Sequence, residues 1–125
     1  IQQGFLSSEP FSAIQAGARP RVFLIADAGY DNYNCVVSVG RQLAETRGEV
    51  LQRFINASIE GWAQYMRRQD IDAANRLIIR DNPEMNQERI DYAIRVMNEM
   101  GIVVSGDAQT MGIGAMTDAR WERFY

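Results

Sequence analysis

The run RVFLIAD, Arg21 to Asp27, constrains the fold more than any other stretch of this sequence. It is continuously apolar and of strand length, so it leaves no face for water. Such a run suits a strand buried on both sides, as in the parallel sheets of α/β proteins. A second strand is expected over CVVSV, Cys35–Val39, from its β-branched residues, and a short one over Gln3–Leu6. Between the first two lies AGYDNYN, a loop rich in turn formers.

The rest reads as helix. Pro10 suits a first helical turn, where its missing N–H has no partner to lose. That helix is expected to run to about Ala16, with Gly17 as the residue just past its end. Thr46 and Glu49 have the spacing of a capping box. Beyond them Leu51, Phe54, Ile55, Ser58, Ile59, Trp62 and Met66 recur at steps of three and four and make one apolar face. A helix is therefore expected near Glu49–Arg67, packing through Phe54, Ile59 and Trp62. Asp70 is expected to cap a short helix over Ala73–Ile79, and Pro83 to pull Asn82 out of helical angles. Asn86 is the expected cap of the next helix. Met85 and Ile90 flank it as a hydrophobic staple, Ile90, Ala93, Ile94 and Met97 form its stripe, and Gly101 ends it. After the glycine-punctuated IVVSGDAQTMGIGAM, Thr117 or Asp118 caps a last helix, DARWERFY. The expectation is an α/β chain, strand-rich first and helix-rich after. Residues 1–125 read as a single domain or a fragment, with ends that look cut.

Composition removes whole classes of function. Hydrophobic residues make up 46% and charged residues 23%, which fits a globular chain rather than a disordered one. The net charge of −3 is spread over interspersed signs, with no basic face for nucleic acid. There is no histidine, which excludes Ser-His-Asp and Cys-His catalysis and most zinc sites. Cys35 is the single cysteine, so no intrachain disulfide forms, and it reads as a small buried hydrophobe. Asp70/Asp72 and Asp81/Glu84/Glu88 lack the alternating ligands and central glycine of a calcium loop and fit acids at helix starts. GIGAM lacks the third glycine of a nucleotide loop. The apolar runs are too short to span a membrane, and the start, IQQGF, carries no signal-peptide pattern. No nucleophile–base pair is visible. Enzymatic activity, a cofactor and a metal are not expected.

Two stretches remain, SSEP and AGYDNY. Each sits where an expected strand gives way to a loop, the place where open α/β sheets bind ligands. Ser7, Ser8 and Glu9, with Tyr30, Asp31, Asn32 and Tyr33, are the candidate ligand-binding residues. The structural alternative is that Ser8 or Glu9 caps a helix and that Asp27, Asp31 and Asn32 shape a turn.

The order of GFLSSEPFSAIQAGARPRVFLIADAGY, RGEVLQRFINASIEGWAQYM and RDNPEMNQERIDYAI resembles the C-terminal part of the solute-binding proteins of ABC importers. The branch is that of nitrate-, sulfonate- and taurine-binding proteins and of relatives that bind pyrimidine precursors of thiamine. In that branch a strand ends in an acid–proline motif, here Ser8-Glu9-Pro10, with Ser8 where an aromatic residue is usual. Ala16 and Gly17 match the small residue and glycine that follow. Gly48, Glu49 and Val50 match the start of the next helix, with Phe54, Ala57 and Trp62 behind it. Asn82 and Pro83 match a later turn. The resemblance implies the helix-rich C-terminal portion of a two-lobed, periplasmic-binding-protein-like fold. It implies a small polar solute in an interlobe cleft, delivery to a membrane permease through the full-length parent, and a periplasmic or other extracytoplasmic location. Glu9 would then favour a donor-rich ligand such as an aminopyrimidine over a bare anion. The alternative is a structural or interaction domain docking a partner through an apolar helix face. A homodimer of the 125-residue chain is a further expectation.

Overall fold

A computed structural model describes residues 1–123. Its elements, in order, are α1 (Glu9–Gln15), a 3-10 turn (Ile25–Ala28), α2 (Arg41–Thr46), α3 (Gly48–Met66), α4 (Asp72–Asp81), α5 (Gln87–Glu99), α6 (Ala108–Met111) and α7 (Asp118–Glu122). The fold is helix-rich, as expected for the second half of the chain. The three expected strands, Gln3–Leu6, Arg21–Asp27 and Cys35–Val39, do not form, and no strand occurs among the described residues. A strand is completed by a neighbour that takes its N–H and C=O groups. Leu24 does have extended backbone (φ −82°, ψ 129°), but the chain then tightens into the 3-10 turn and reverses at Gly29, φ +89°. Val22, Phe23, Ile25, Val36, Val37 and Val39 are all exposed, Phe23 to 76%. Cys35 is exposed too, contrary to the buried position expected of it.

The core is built by α3, α4 and α5. Met66 ends α3, Ile71 precedes α4, and both pack on Ile90 and Ile94 of α5, with Tyr65, Ile78, Ile79, Met85, Met97 and Val103 around them. The α5 stripe behaves as its spacing predicts, with Ile94 left only 1% exposed. The Asn86 side chain accepts from Arg89 N–H at 2.9 Å, closing the start of α5. Gly101, at φ +62°, ends it. Asn82 is extended before Pro83 (φ −131°, ψ 100°), as its neighbour requires. α1 docks on α5 through buried Phe11, whose ring lies 5.3 Å from that of Tyr92, while Arg89 donates to Ser12 Oγ at 2.8 Å.

Three helix expectations are corrected. Thr46 does not cap α3. It ends α2 and donates its hydroxyl back to the Gln42 carbonyl at 2.7 Å, and the chain breaks at Arg47 before α3 begins. Asp70 does not cap α4, which starts from Ile71 without a side-chain cap, while Asp70 itself sits at φ +51°. The apolar face of α3 is only partly covered: of the three residues expected to pack, Ile59 is half-buried while Phe54 and Trp62 are exposed. Val50, Phe54, Ile55 and Trp62 are exposed, and Met66 alone in that helix is buried. Trp62 has Tyr65 beside it, edge-on at 6.4 Å. The reason is one of supply: the core reaches only the last turn of α3, and along the rest of its face Leu51, Ser58 and Ile59 are half-buried, Ile59 against Gly114, while the larger Phe54 and Trp62 stay exposed.

The exposed area agrees. The chain presents 9929 Å² to solvent. A closed monomer of 14.2 kDa presents roughly 6,800 Å². Large apolar side chains exposed in segments 21–25 and 36–39 and along α3 contribute to the difference.

Candidate functional site

The two candidate stretches lie on different parts of the fold and have different partners. Ser7 and Ser8 are half-buried in the turn that leads into α1. Ser8 holds the N-cap position, but its hydroxyl makes no capping bond. Its N–H donates to the Phe5 carbonyl at 2.9 Å, and its carbonyl accepts from Phe11 at 3.1 Å. Glu9 is the first residue of α1, and its Oε2 accepts from the Phe5 N–H at 2.6 Å. The carboxylate therefore folds back over the preceding turn instead of reaching forward to the helix N–H groups. Gly4 permits this, since a Cβ there would sit 2.5 Å from Glu9 Cγ. An acid one turn back from an unpaired amide satisfies that amide and complements the positive end of the helix.

The loop after the 3-10 turn is fastened far along the chain. Tyr33 donates its hydroxyl to Asp107 Oδ2. The same hydroxyl oxygen accepts from the Thr117 N–H at 2.9 Å, and Thr117 Oγ1 donates to Asp107 Oδ2 at 3.2 Å. The Tyr33 ring packs against Trp121 at 5.2 Å and lies under the Arg120 guanidinium at 4.5 Å. Arg120 Nε donates to the Asp31 carbonyl at 2.8 Å, and its Nη2 donates to the same oxygen. The Asp31 carboxylate lies 3.8 Å from Arg120 and 3.4 Å from Arg123.

This cluster exists because Thr117 caps α7, accepting from Arg120 N–H at 3.3 Å and so setting the helix that carries Arg120 and Trp121. Gly106 makes room for it. Its φ is +56°, and a Cβ there would lie 2.7 Å from Arg120 Nη1. The Asp107 carboxyl is held below the usual carboxylate range, first by the Tyr33 hydroxyl. Thr117, Arg120 and Arg123 add to this against an opposing effect of burial. Such a carboxylate is a fixed acceptor, and no nucleophile with an adjacent base stands here. Of the four loop candidates, Asp31 and Tyr33 are committed to the cluster. Tyr30 and Asn32 lie on the exposed side of the loop.

Two open grooves lie elsewhere. One of about 680 Å³ is lined by Arg68, Asp91, Tyr92, Arg95, Asn98 and Glu99, among others. Four of its charges pair with one another: Arg68 with Asp91 and Arg95 with Glu99 at 3.0 Å, and Arg95 also lies over the Tyr92 ring. The other, of about 330 Å³, lies under the extended segment and is mostly apolar, with Leu6, Val22, Leu24, Val96 and Met100 on its walls. Neither is lined by Ser7–Glu9 or by Tyr30–Tyr33. Among the described residues no group of three His, Cys, Asp or Glu side chains is placed to hold a metal ion. No helix there is long and apolar enough to cross a membrane.

No family model, no curated protein and no solved structure matches the chain.

Sequence reasoning missed Asp107 and Arg120. Thr117 was expected only as a cap, which it is. The distance along the chain, 74 residues from Tyr33 to Asp107 and 89 from Asp31 to Arg120, explains the miss. The available signal was local: a glycine directly before Asp107, and an arginine placed where the cap at Thr117 aims it back into the molecule.

Proposed function

We propose that this chain is the later part of a solute-binding protein serving an ABC-type importer, taking a small polar solute in a cleft it shares with another lobe. The reading originates in the sequence resemblance. One structural observation supports it: segments 21–24 and 36–39 are mostly apolar, rich in β-branched and aromatic residues, largely exposed, and without strand partners among the described residues. Sheet composition without a sheet is what a chain presents when its neighbouring strands come from elsewhere in a larger fold. The loop at the end of the first segment is already fixed in place, as one wall of a cleft requires. Tyr30 and Asn32 are the residues of that loop that would meet the solute. Glu9 would meet it only by releasing the Phe5 N–H.

A thermal-shift screen of the full-length receptor against aminopyrimidines, amines, sulfonates and nitrate tests this reading. A shift with one class, reduced in Asn32→Ala, is the expected result. No shift with any class would remove the solute.

A second reading has its own observation. The exposed Val50, Phe54, Ile55 and Trp62 of α3 form a face of the kind that docks a partner helix or sheet. An interaction module of this type predicts no solute response at all, together with loss of partner binding in Phe54→Asp.

A further inference from the structure

The Tyr33 cluster carries a conclusion that does not depend on either reading. Its members come from three places: the loop (Asp31, Tyr33), the start of α6 (Asp107) and α7 with its cap (Thr117, Arg120, Trp121). The hydroxyls, the Arg120 guanidinium and the Asp31 carbonyl each have a defined partner. Tyr33 Oη gives one hydrogen bond and takes one, Asp107 Oδ2 takes two, and the Asp31 carbonyl takes two from a single guanidinium. Arg120 has a side chain only 16% exposed, held between a carbonyl, two carboxylates and an aromatic face. A planar guanidinium committed to one carbonyl and stacked on a ring fixes direction as well as distance.

We infer that Tyr33, Asp107, Thr117 and Arg120 form a clasp that locks the loop after segment 21–27 to α7, making Tyr33 a positioning residue of that loop rather than a ligand contact. The consequence is mechanical. The apolar segments on either side of the loop have no sheet to hold them among the described residues, yet the loop between them is tied to distant parts of the chain through the Tyr33 and Arg120 side chains. Loop and α7 therefore keep their mutual geometry whether or not a neighbouring strand is in place. The order of the loop is supplied from its C-terminal partner.

The test uses the 125-residue chain with no solute, so its failure is distinct from failure of the solute-binding reading. Amide exchange is followed by NMR in wild type and in Tyr33→Phe, which keeps the ring against Trp121 but lacks the hydroxyl. Exchange at Thr117 N–H should quicken at least about fivefold, the scale of one lost hydrogen bond. Amides of α5 around Ile90–Ile94 should not change. Independently, a nitroxide on Cys35, the chain's single cysteine, reports loop mobility two residues beyond Tyr33. Its spectrum should sharpen in Arg120→Ala. Unchanged exchange at Thr117 in Tyr33→Phe overturns the clasp. So does exchange that quickens equally in α5, since that would place Tyr33 in the global fold. A spin label as immobile in Arg120→Ala as in wild type overturns it too.

Discussion

The Tyr33 hydroxyl bonds to the Asp107 carboxylate across 74 residues of sequence and takes the Thr117 N–H as well, so the loop is joined both to the start of α6 and to the cap of α7. That one relationship marks out the residues of the candidate loop that hold it in place. Asp31 and Tyr33 hold. Asn32 faces out.

Acid should loosen this joint. The Asp107 carboxyl is depressed by its hydrogen bond from Tyr33 above all, and Asp91 is depressed by its hydrogen bond from Arg68. A carboxyl whose folded pKa lies below its unfolded value adds stability that is fully present above the unfolded value, ordinarily about 4, and is lost as pH falls through the folded one. Denaturation midpoints should therefore hold steady through the neutral range and fall below about pH 4. Asp107→Asn should lower the neutral plateau and shrink that fall. An acid limb identical in wild type and Asp107→Asn would show that Asp107 is not part of it.

Gly106 should tolerate no side chain. Its φ of +56° and the 2.7 Å approach to Arg120 Nη1 both oppose a Cβ. Gly106→Ala should cost about 1–2 kcal/mol through the left-handed backbone alone, read by urea denaturation. Gly40→Ala is the control, since that glycine has φ −63° and open space around it. Equal effects at the two positions would contradict the account of the close approach.

The core and the bare face of α3 should respond differently to the same truncation. Ile94, 1% exposed, should lose about 2–5 kcal/mol on change to Ala. Phe54 is 54% exposed, and in the dilute monomer Phe54→Ala should stay within about 0.5 kcal/mol. Urea midpoints of the two variants decide it. A large loss at Phe54 in the monomer would mean that the chain covers this face by itself.

These contrasts show what the sequence made legible. The caps at Asn86 and Thr117, the stops at Gly17 and Gly101 and the stripe of α5 were readable because each is a local relation within a few residues. The strands were not, because a strand is a relation to a neighbour. The composition of Arg21–Asp27 states what the segment would pair with if a partner stood beside it, and says nothing of whether one does. The same holds for α3, whose apolar face is half-buried at Leu51 and Ile59 and bare at Phe54 and Trp62. Of the site, the loop Tyr30–Tyr33 was found from its turn residues. Its anchors were hidden, since no local pattern links Asp31 to Arg120. Glu9 was singled out for a reason that partly survives: it does satisfy a backbone amide, but that of Phe5, behind it.

The central claim is that this chain leaves strand-forming segments and a helix face that need a partner. Light scattering across the micromolar range tests it most directly. The exposed surface exceeds that of a closed chain by roughly 3,100 Å², more than one protomer gives to an ordinary dimer interface. Two-fold pairing is the simplest way to cover a patch shared by identical chains. The account predicts a mass that rises with concentration from 14.2 kDa toward twice that value, and a smaller rise in Phe54→Asp. A mass that stays at 14.2 kDa throughout would show that the chain covers its own apolar surface, and would contradict the claim.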